Sequence, residues 1–344
     1  MFSGCYTALI TPLAPDTSID QAGLEKLVEF QVTEGIGGVL AVGTTGESPT
    51  LDWDEHNLVT DRVCALVKGR CRAIAGTGSN STEESLKATE HAAHAGADTA
   101  LLVDPYYNGP SSLEIRKEYV GPIAEAFPEL QMIPYVIPGR SGCKLEPEDL
   151  ALLHGEYKNV RTVKEATGDL DNMARTRTCC GDDFDILSGD DDKTYEMMTD
   201  ERIGASGVIS VMSNVAPGPI TRFSAALNEG NREEADRLAA ALKPLFGMVT
   251  VMSEADTPHG KTPVKARNPL PIKTLMNILG MPAGPCRRPL GKMNRAGLET
   301  VLGIARTVQS ENPEIFAPIE SAFGVDIAAR LADSSVTEGL AYTD

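Results

Sequence analysis

Short apolar runs recur along the chain, and each is followed by a stretch with the period of an amphipathic helix. The runs "CYTALI" (5–10), "GVLAVG" (38–43), "CRAIAG" (71–76), "DTALLV" (98–103), "QMIPYV" (131–136), "VRTVK" (160–164), "FDILSG" (184–189) and "SGVISV" (206–211) predict eight strands. Between them, "DQAGLEKLVEFQVTEG" and "STEESLKATEHAAHAG" open on capping residues and close on glycine, as helices do. Strands alternating with helices imply a parallel sheet. Eight of them, spaced by roughly 22 to 33 residues, favour an α/β fold of the (β/α)8 TIM-barrel type over an open doubly wound sheet. No GxGxxG follows the first strand, which removes the obvious dinucleotide site. Past residue 211 the pattern turns helical, with "NREEADRLAAALKPLFGMV" amphipathic. The expected division is a barrel over 1–220, a C-terminal helical extension over 221–305, and an extra tail over 306–344. The tail's role is left open among a helix on the barrel, a subunit contact and a disordered end.

Composition narrows the function. A formal charge of −18 argues against nucleic acid or an anionic membrane as partner, but not against small anions met by local basic groups. The seven cysteines (Cys5, Cys64, Cys71, Cys143, Cys179, Cys180, Cys286) are scattered and show no zinc spacing. That suits reduced thiols, and no metal site is expected. No apolar run reaches membrane-spanning length and "MFSGCYTALITPL" lacks a basic leader, so a soluble, cytoplasmic protein is expected.

In such a barrel the chemistry sits at the carboxyl ends of the strands, and the unusual residues fall there. Lys164 interrupts the sixth run. Period two places it on one face with Thr162, and Glu165 on the other with Val163. Facing inward, its amine is desolvated, held partly neutral and able to attack a carbonyl; at a frayed strand end it simply reaches water. "GTTGES" offers Thr44 and Thr45 between glycines, suited to a carboxylate or phosphate, or only to a tight turn. Tyr106 and Tyr107 read as packing rings, and Tyr135 as either a core ring or, for a phenol facing an amine, a proton shuttle. Arg140 has the fork for a carboxylate, although surface pairing is the commoner fate. No histidine is placed for a triad, and "DDD" at 190–192 suits a solvated acidic loop or a helix cap better than a metal cluster.

Taken together, "GTTGESPTL", "DPYYNGP", "PYVIPGRSG", "VKEATGD", "LSGDD" and "GVISV" resemble, in order and near spacing, the dihydrodipicolinate synthase / N-acetylneuraminate lyase family over roughly residues 1–300. The resemblance implies a lyase with a class I aldolase mechanism, no cofactor, and a homo-oligomer, usually a tetramer of tight dimers. By position, Lys164 is similar to the lysine that forms a Schiff base with pyruvate. Thr44 and Thr45 correspond to the pyruvate-carboxylate and relay threonines, and Tyr135 to the proton-shuttling tyrosine. Tyr107 corresponds to the tyrosine a neighbouring subunit inserts, and Arg140 to the arginine that receives aspartate semialdehyde. Gly189 and Ile209 correspond to positions lining the pyruvate pocket. The implied reaction condenses pyruvate with L-aspartate 4-semialdehyde to 4-hydroxy-tetrahydrodipicolinate, the first committed step toward diaminopimelate and lysine. Ser48, Pro49, Trp53, His56, Asn80, Glu84 and Tyr106 fall where lysine-inhibited members bind the end product. The alternatives are another pyruvate-dependent aldolase of the family, acting on a keto-deoxy sugar acid or N-acetylneuraminate, and a non-catalytic homologue that keeps the barrel. Three departures stand out: Val136 where relatives carry asparagine, a longer segment before "NPLPIK", and the tail beyond about residue 305.

Overall fold

A computed structural model of the chain describes residues 2–343. Its centre is a closed barrel of eight parallel strands in sequence order: β1 (Gly4–Ala8), β2 (Gly38–Ala41), β3 (Arg72–Gly76), β4 (Thr99–Val103), β5 (Gln131–Val136), β6 (Thr162–Glu165), β7 (Asp185–Ser188) and β8 (Gly207–Ser210). Each expected strand is present, most of them shorter by one or two residues. The two quoted helices form over Gln21–Thr33 and Thr82–Ala95. Asp20 caps the first through the Gly23 amide at 2.8 Å, and Gly96 ends the second at φ 89°, a conformation that costs glycine little.

Alternation along each strand separates two layers of core. Tyr6, Leu40, Ile133, Tyr135 and Leu187 point into the barrel. Val39, Val136, Val163 and Ile186 point outward under the helices. In β5 this sends Tyr135 inward and Val136 outward, so the departure at Val136 lies under the helices and not in the cavity wall. The register pairs Tyr135 with Lys164 across β5 and β6.

After β8 come helices Pro217–Asn228 and Arg232–Phe246, as expected. The expectation of helices alone from 220 onward fails next. Residues 250–267 form an antiparallel hairpin, β9 (Thr250–Thr257) and β10 (Gly260–Arg267), turning at Pro258 and His259. "TVMSEADT" and "GKTPVKAR" lack a helical apolar stripe, and Gly260 supplies the positive φ of 115° at the turn. The tail is folded: helices Ala317–Phe323 and Ile327–Ala332 bury Ile319, Ile327 and Leu331 against the barrel's outer core. Each such side chain contributes about 1.5–3 kcal/mol. Arg330 Nε donates to the Ile278 carbonyl at 2.8 Å and clasps the end of helix Leu270–Leu279. Among the described residues no helix is long and apolar enough to cross a membrane.

Candidate active site

Lys164 lies inside the barrel, 4% exposed, with its Nζ 4.1 Å from the centre of the Tyr135 ring. The inward placement is the one the strand period allowed, and the frayed-end alternative is excluded. Burial lowers the Lys164 pKa to about 8, with the Asp190 and Asp191 charges opposing and the Arg140 charge assisting. At pH 7 roughly a tenth of such an amine is neutral, enough for a nucleophile. Glu165 faces the other way, where its carboxylate accepts from Asn172 Nδ2 at 3.2 Å and burial raises its pKa to about 7. Gly189, after β7, makes room for the lysine: a Cβ there would stand 2.7 Å from the Ala166 Cβ and 3.2 Å from the Lys164 Cε.

The threonines are held from below. Glu47 closes the "GTTGES" turn in the left-handed region at φ 60°. Its carboxylate is fully buried and takes Lys273 Nζ at 2.6 Å on one oxygen and the Arg287 amide at 2.7 Å on the other. Lys273 also donates to the carbonyls of Thr11 and Pro285, so the pair is saturated with partners. Thr45 Oγ1 accepts from Asn268 Nδ2 at 2.9 Å. Thr44 stands beside the Tyr135 phenol, whose pKa burial pushes up, with Arg140 and the Thr44 hydrogen bond opposing.

Lys164, Tyr135, Thr44, Thr45, Arg140 and Asp190 all line one cavity of about 190 Å³. That is below the 300–1,000 Å³ of drug-sized sites and suits small acids. Ile209 is fully buried in the barrel-interior cluster and is not in this lining. Thr44, Tyr135 and Arg140 form a wall shared with a second cavity of about 200 Å³, whose far side carries Ser48, Pro49 and Tyr106. Trp53, 41% exposed, and Glu84 line a separate hollow. Glu84 also accepts from the Ser79 hydroxyl, while Asn80 is exposed. His56 lies behind them, buried, with Nε2 against the Gly76 carbonyl at 3.0 Å; burial lowers its pKa to about 4. Its Nδ1 has no partner among the described residues. Tyr107 is 92% exposed, at φ 83°, and lines neither of the two cavities that share the wall.

Of the two expectations for the acidic run, a solvated loop or a cap, Asp191 follows the cap, at the start of the turn Met212–Asn214. Asp191 is buried and accepts from the Ser210 hydroxyl and from the amides of Val211 at 2.9 Å and Met212 at 3.2 Å, so it fastens β8 to the loop after β7. Burial raises the Asp190 pKa to about 6, and its carboxyl faces the lysine's cavity. Among the described residues no cluster suited to a metal ion is present. Sequence reasoning also passed over Glu47, Lys273 and Asn268 as supports. Lys273 left a signal: it is the one charged residue in the mostly apolar helical run "LPIKTLMNIL", where a buried lysine needs a partner.

A barrel with a partly neutral amine at its centre, a phenol beside it and an arginine at its mouth has the groups that chemistry on small carboxylic acids with a reactive carbonyl requires. Comparison with known proteins gives the class a family. The dihydrodipicolinate synthetase family matches residues 1–307. The 4-hydroxy-tetrahydrodipicolinate synthase of Geotalea daltonii is 39% identical over 306 residues, 89% of this chain and 98% of that one. Among solved structures, the lysine-bound dihydrodipicolinate synthase of Cyanidioschyzon merolae superposes with a TM-score of 0.81 at 35% identity, over 89% of this chain and 98% of its own. The chloride-inhibited, pyruvate-complexed enzyme of Acinetobacter baumannii superposes with a TM-score of 0.80 at 32% identity, over 90% and 99%. The chain belongs to the dihydrodipicolinate synthetase family and is, with these relatives, an enzyme of the lyase class.

Proposed function

We propose that the chain condenses pyruvate with L-aspartate 4-semialdehyde through an imine on Lys164, giving 4-hydroxy-tetrahydrodipicolinate. The observation that carries this is the buried Lys164 amine, lowered to about pH 8, set against Tyr135 in a small cavity with Arg140 at its edge. The neutral amine attacks the keto carbon of pyruvate and water leaves, with Tyr135 and Thr44 passing protons. Thr45 and Thr44 hold the pyruvate carboxylate. The methyl group then loses a proton to give an enamine, which bonds to the aldehyde carbon of the acceptor, whose carboxylate Arg140 receives. The acceptor's own amine displaces Lys164 from the imine, closing the ring and freeing the enzyme. The imine nitrogen is the electron sink throughout, so the scheme uses no metal or organic cofactor.

Two features extend the reading. Tyr107 stands 92% exposed on the rim, which suits a residue delivered into a neighbour's site and therefore a homo-oligomer. For the second group, Ser48, Pro49, Trp53, His56, Asn80, Glu84 and Tyr106, the support is partial: Ser48, Pro49 and Tyr106 line the cavity behind the Thr44–Tyr135 wall, Trp53 and Glu84 line another hollow, His56 packs edge-on against Trp53 at 5.1 Å, and Asn80 is exposed. Free lysine is the ligand proposed there, with Glu84 taking the α-amine and Trp53 covering the stem; the lysine-bound relative supports this.

The test is a coupled assay with pyruvate, aspartate semialdehyde and a dihydrodipicolinate reductase oxidising NADPH, run with and without millimolar lysine. We expect turnover that falls as lysine rises, quenching of Trp53, and loss of both lysine effects in Glu84→Ala with turnover kept. No turnover, together with no borohydride trapping of pyruvate on Lys164, would refute the synthase reading.

A further inference from the structure

The base of the β9–β10 hairpin is part of the cavity. Val249, Thr250, Arg267 and Asn268 line it together with Lys164 and Arg140. Arg267 is the last residue of β10, paired with Thr250, and the Asn268 amide donates to the Val249 carbonyl at 2.9 Å, so its position is set by a closed ladder. The hairpin and the loop after β5 are cross-laced by their two arginines. Arg140 Nη2 donates to the Asn268 carbonyl at 3.0 Å, and Arg267 Nη1 donates to the Gly139 carbonyl at 3.2 Å. Each guanidinium thus bonds the main chain next to the other and keeps further N–H donors for something else. Among the described residues neither forms an ion pair with a carboxylate. The acid that shares the cavity is Asp190, which faces Lys164 as well as Arg140.

Two like charges brought to one small cavity, with Asp190 shared between Arg140 and Lys164, repel each other, and Arg140 registers it: burial lowers its pKa most and the Arg267 charge lowers it further, while Tyr135 and Asp190 oppose. A carboxylate between the two would relieve that repulsion and use the free donors. We propose that Arg140 and Arg267 together form a two-guanidinium anion subsite at the mouth of the Lys164 cavity, which takes the carboxylate of the acceptor aldehyde. Arg267 is then a specificity-determining residue, contributed by the hairpin, that favours acidic acceptors over neutral polyhydroxylated ones. The naming of the acceptor rests on the condensation proposed above; the anion subsite itself does not.

The experiment uses the full chain as wild type, Arg267→Gln and Arg267→Lys. Three quantities are measured: borohydride trapping of pyruvate on Lys164, the KM for each substrate in the coupled assay, and calorimetric titration with glutarate, a stable dicarboxylate. In Arg267→Gln we expect pyruvate trapping and the pyruvate KM to stay near wild type. The KM for aspartate semialdehyde should rise, and glutarate affinity fall, by roughly 10- to 100-fold, as for one lost charge-assisted hydrogen-bonding group. Arg267→Lys, which keeps the charge but not the fork, should recover part of the loss. Unchanged acceptor KM and glutarate affinity in Arg267→Gln would overturn the assignment. So would a general collapse in which pyruvate trapping fails too, because Arg267 would then be only a structural tie to Gly139. If wild type itself does not trap pyruvate, the condensation is wrong, and the glutarate titration still decides the subsite.

Discussion

At the scale of single residues, the barrel interior sets the chemistry of Lys164 by withholding water from it. An ammonium buried against Tyr135 and Leu187 loses hydration that nearby Asp190 and Asp191 only partly replace. Its pKa falls from 10.5 to about 8, so the native chain binds fewer protons than the unfolded chain between those values. The resulting cost to stability is present in full below pH 8 and fades as pH rises toward 10.5; it amounts to about 3 kcal/mol. Lys164→Met should therefore abolish borohydride trapping of pyruvate and raise stability at pH 7 by up to that amount, measured by urea unfolding. In wild type the trapping rate should climb from pH 6 to 8 and level off above, following the neutral amine. A profile flat over that range would mean an ordinary lysine. The lysine's exception to the strand pattern was visible in the sequence, because a charge inside an apolar run is costly unless the fold uses it. Its surroundings were not, since Asp190, Asp191 and Arg140 lie on other strand ends and reach it only once the barrel closes.

At the scale of elements, precision at the site comes from ties between loops. The "GTTGES" turn is anchored by the buried Glu47–Lys273 pair, 226 residues apart in sequence. Lys273→Met leaves the Glu47 carboxylate in a dry site with the Arg287 amide as its remaining partner, a change that costs about 3–5 kcal/mol. We expect that loss in urea unfolding, together with a raised pyruvate KM as Thr44 and Thr45 lose their support. The double variant Glu47→Gln/Lys273→Met should recover much of the stability, since no unpaired charge then stays buried. The same logic explains the acidic run: Asp191 looked like a surface residue because Asp190 and Asp192 flank it, yet its carboxylate is the clamp that receives the β8 end. The hairpin escaped a helical reading of 221–305 because that reading extended the pattern of "NREEADRLAAALKPLF" into a segment whose own pattern is strand-like.

At the scale of the whole molecule, one chain holds nearly all of the proposed site, and Tyr107 is the part that faces out. If a neighbour supplies it, two inactive variants should complement. Mixing Lys164→Ala with Tyr107→Phe under conditions that exchange subunits should restore activity to roughly a quarter of wild type, from half the dimers each with one intact site. No recovery on mixing would place Tyr107 in its own subunit's chemistry or outside the chemistry altogether. The folded tail adds to the same body, with Arg330 and Leu331 fixing its helices to the barrel's outer core rather than leaving a free end.

The sequence by itself determined the barrel, because strand and helix periods alternate eight times and each apolar run must bury its faces. It also determined which residues stand at the strand ends, where period two and the position of each run leave little freedom. Only the tertiary structure decided which of those residues meet. Burial of Lys164, the Glu47–Lys273 and Thr45–Asn268 ties and the cross-lacing of Arg140 and Arg267 onto each other's main chain all join segments far apart in the chain. Such contacts depend on closure of the barrel and the path of the hairpin, which no local pattern encodes.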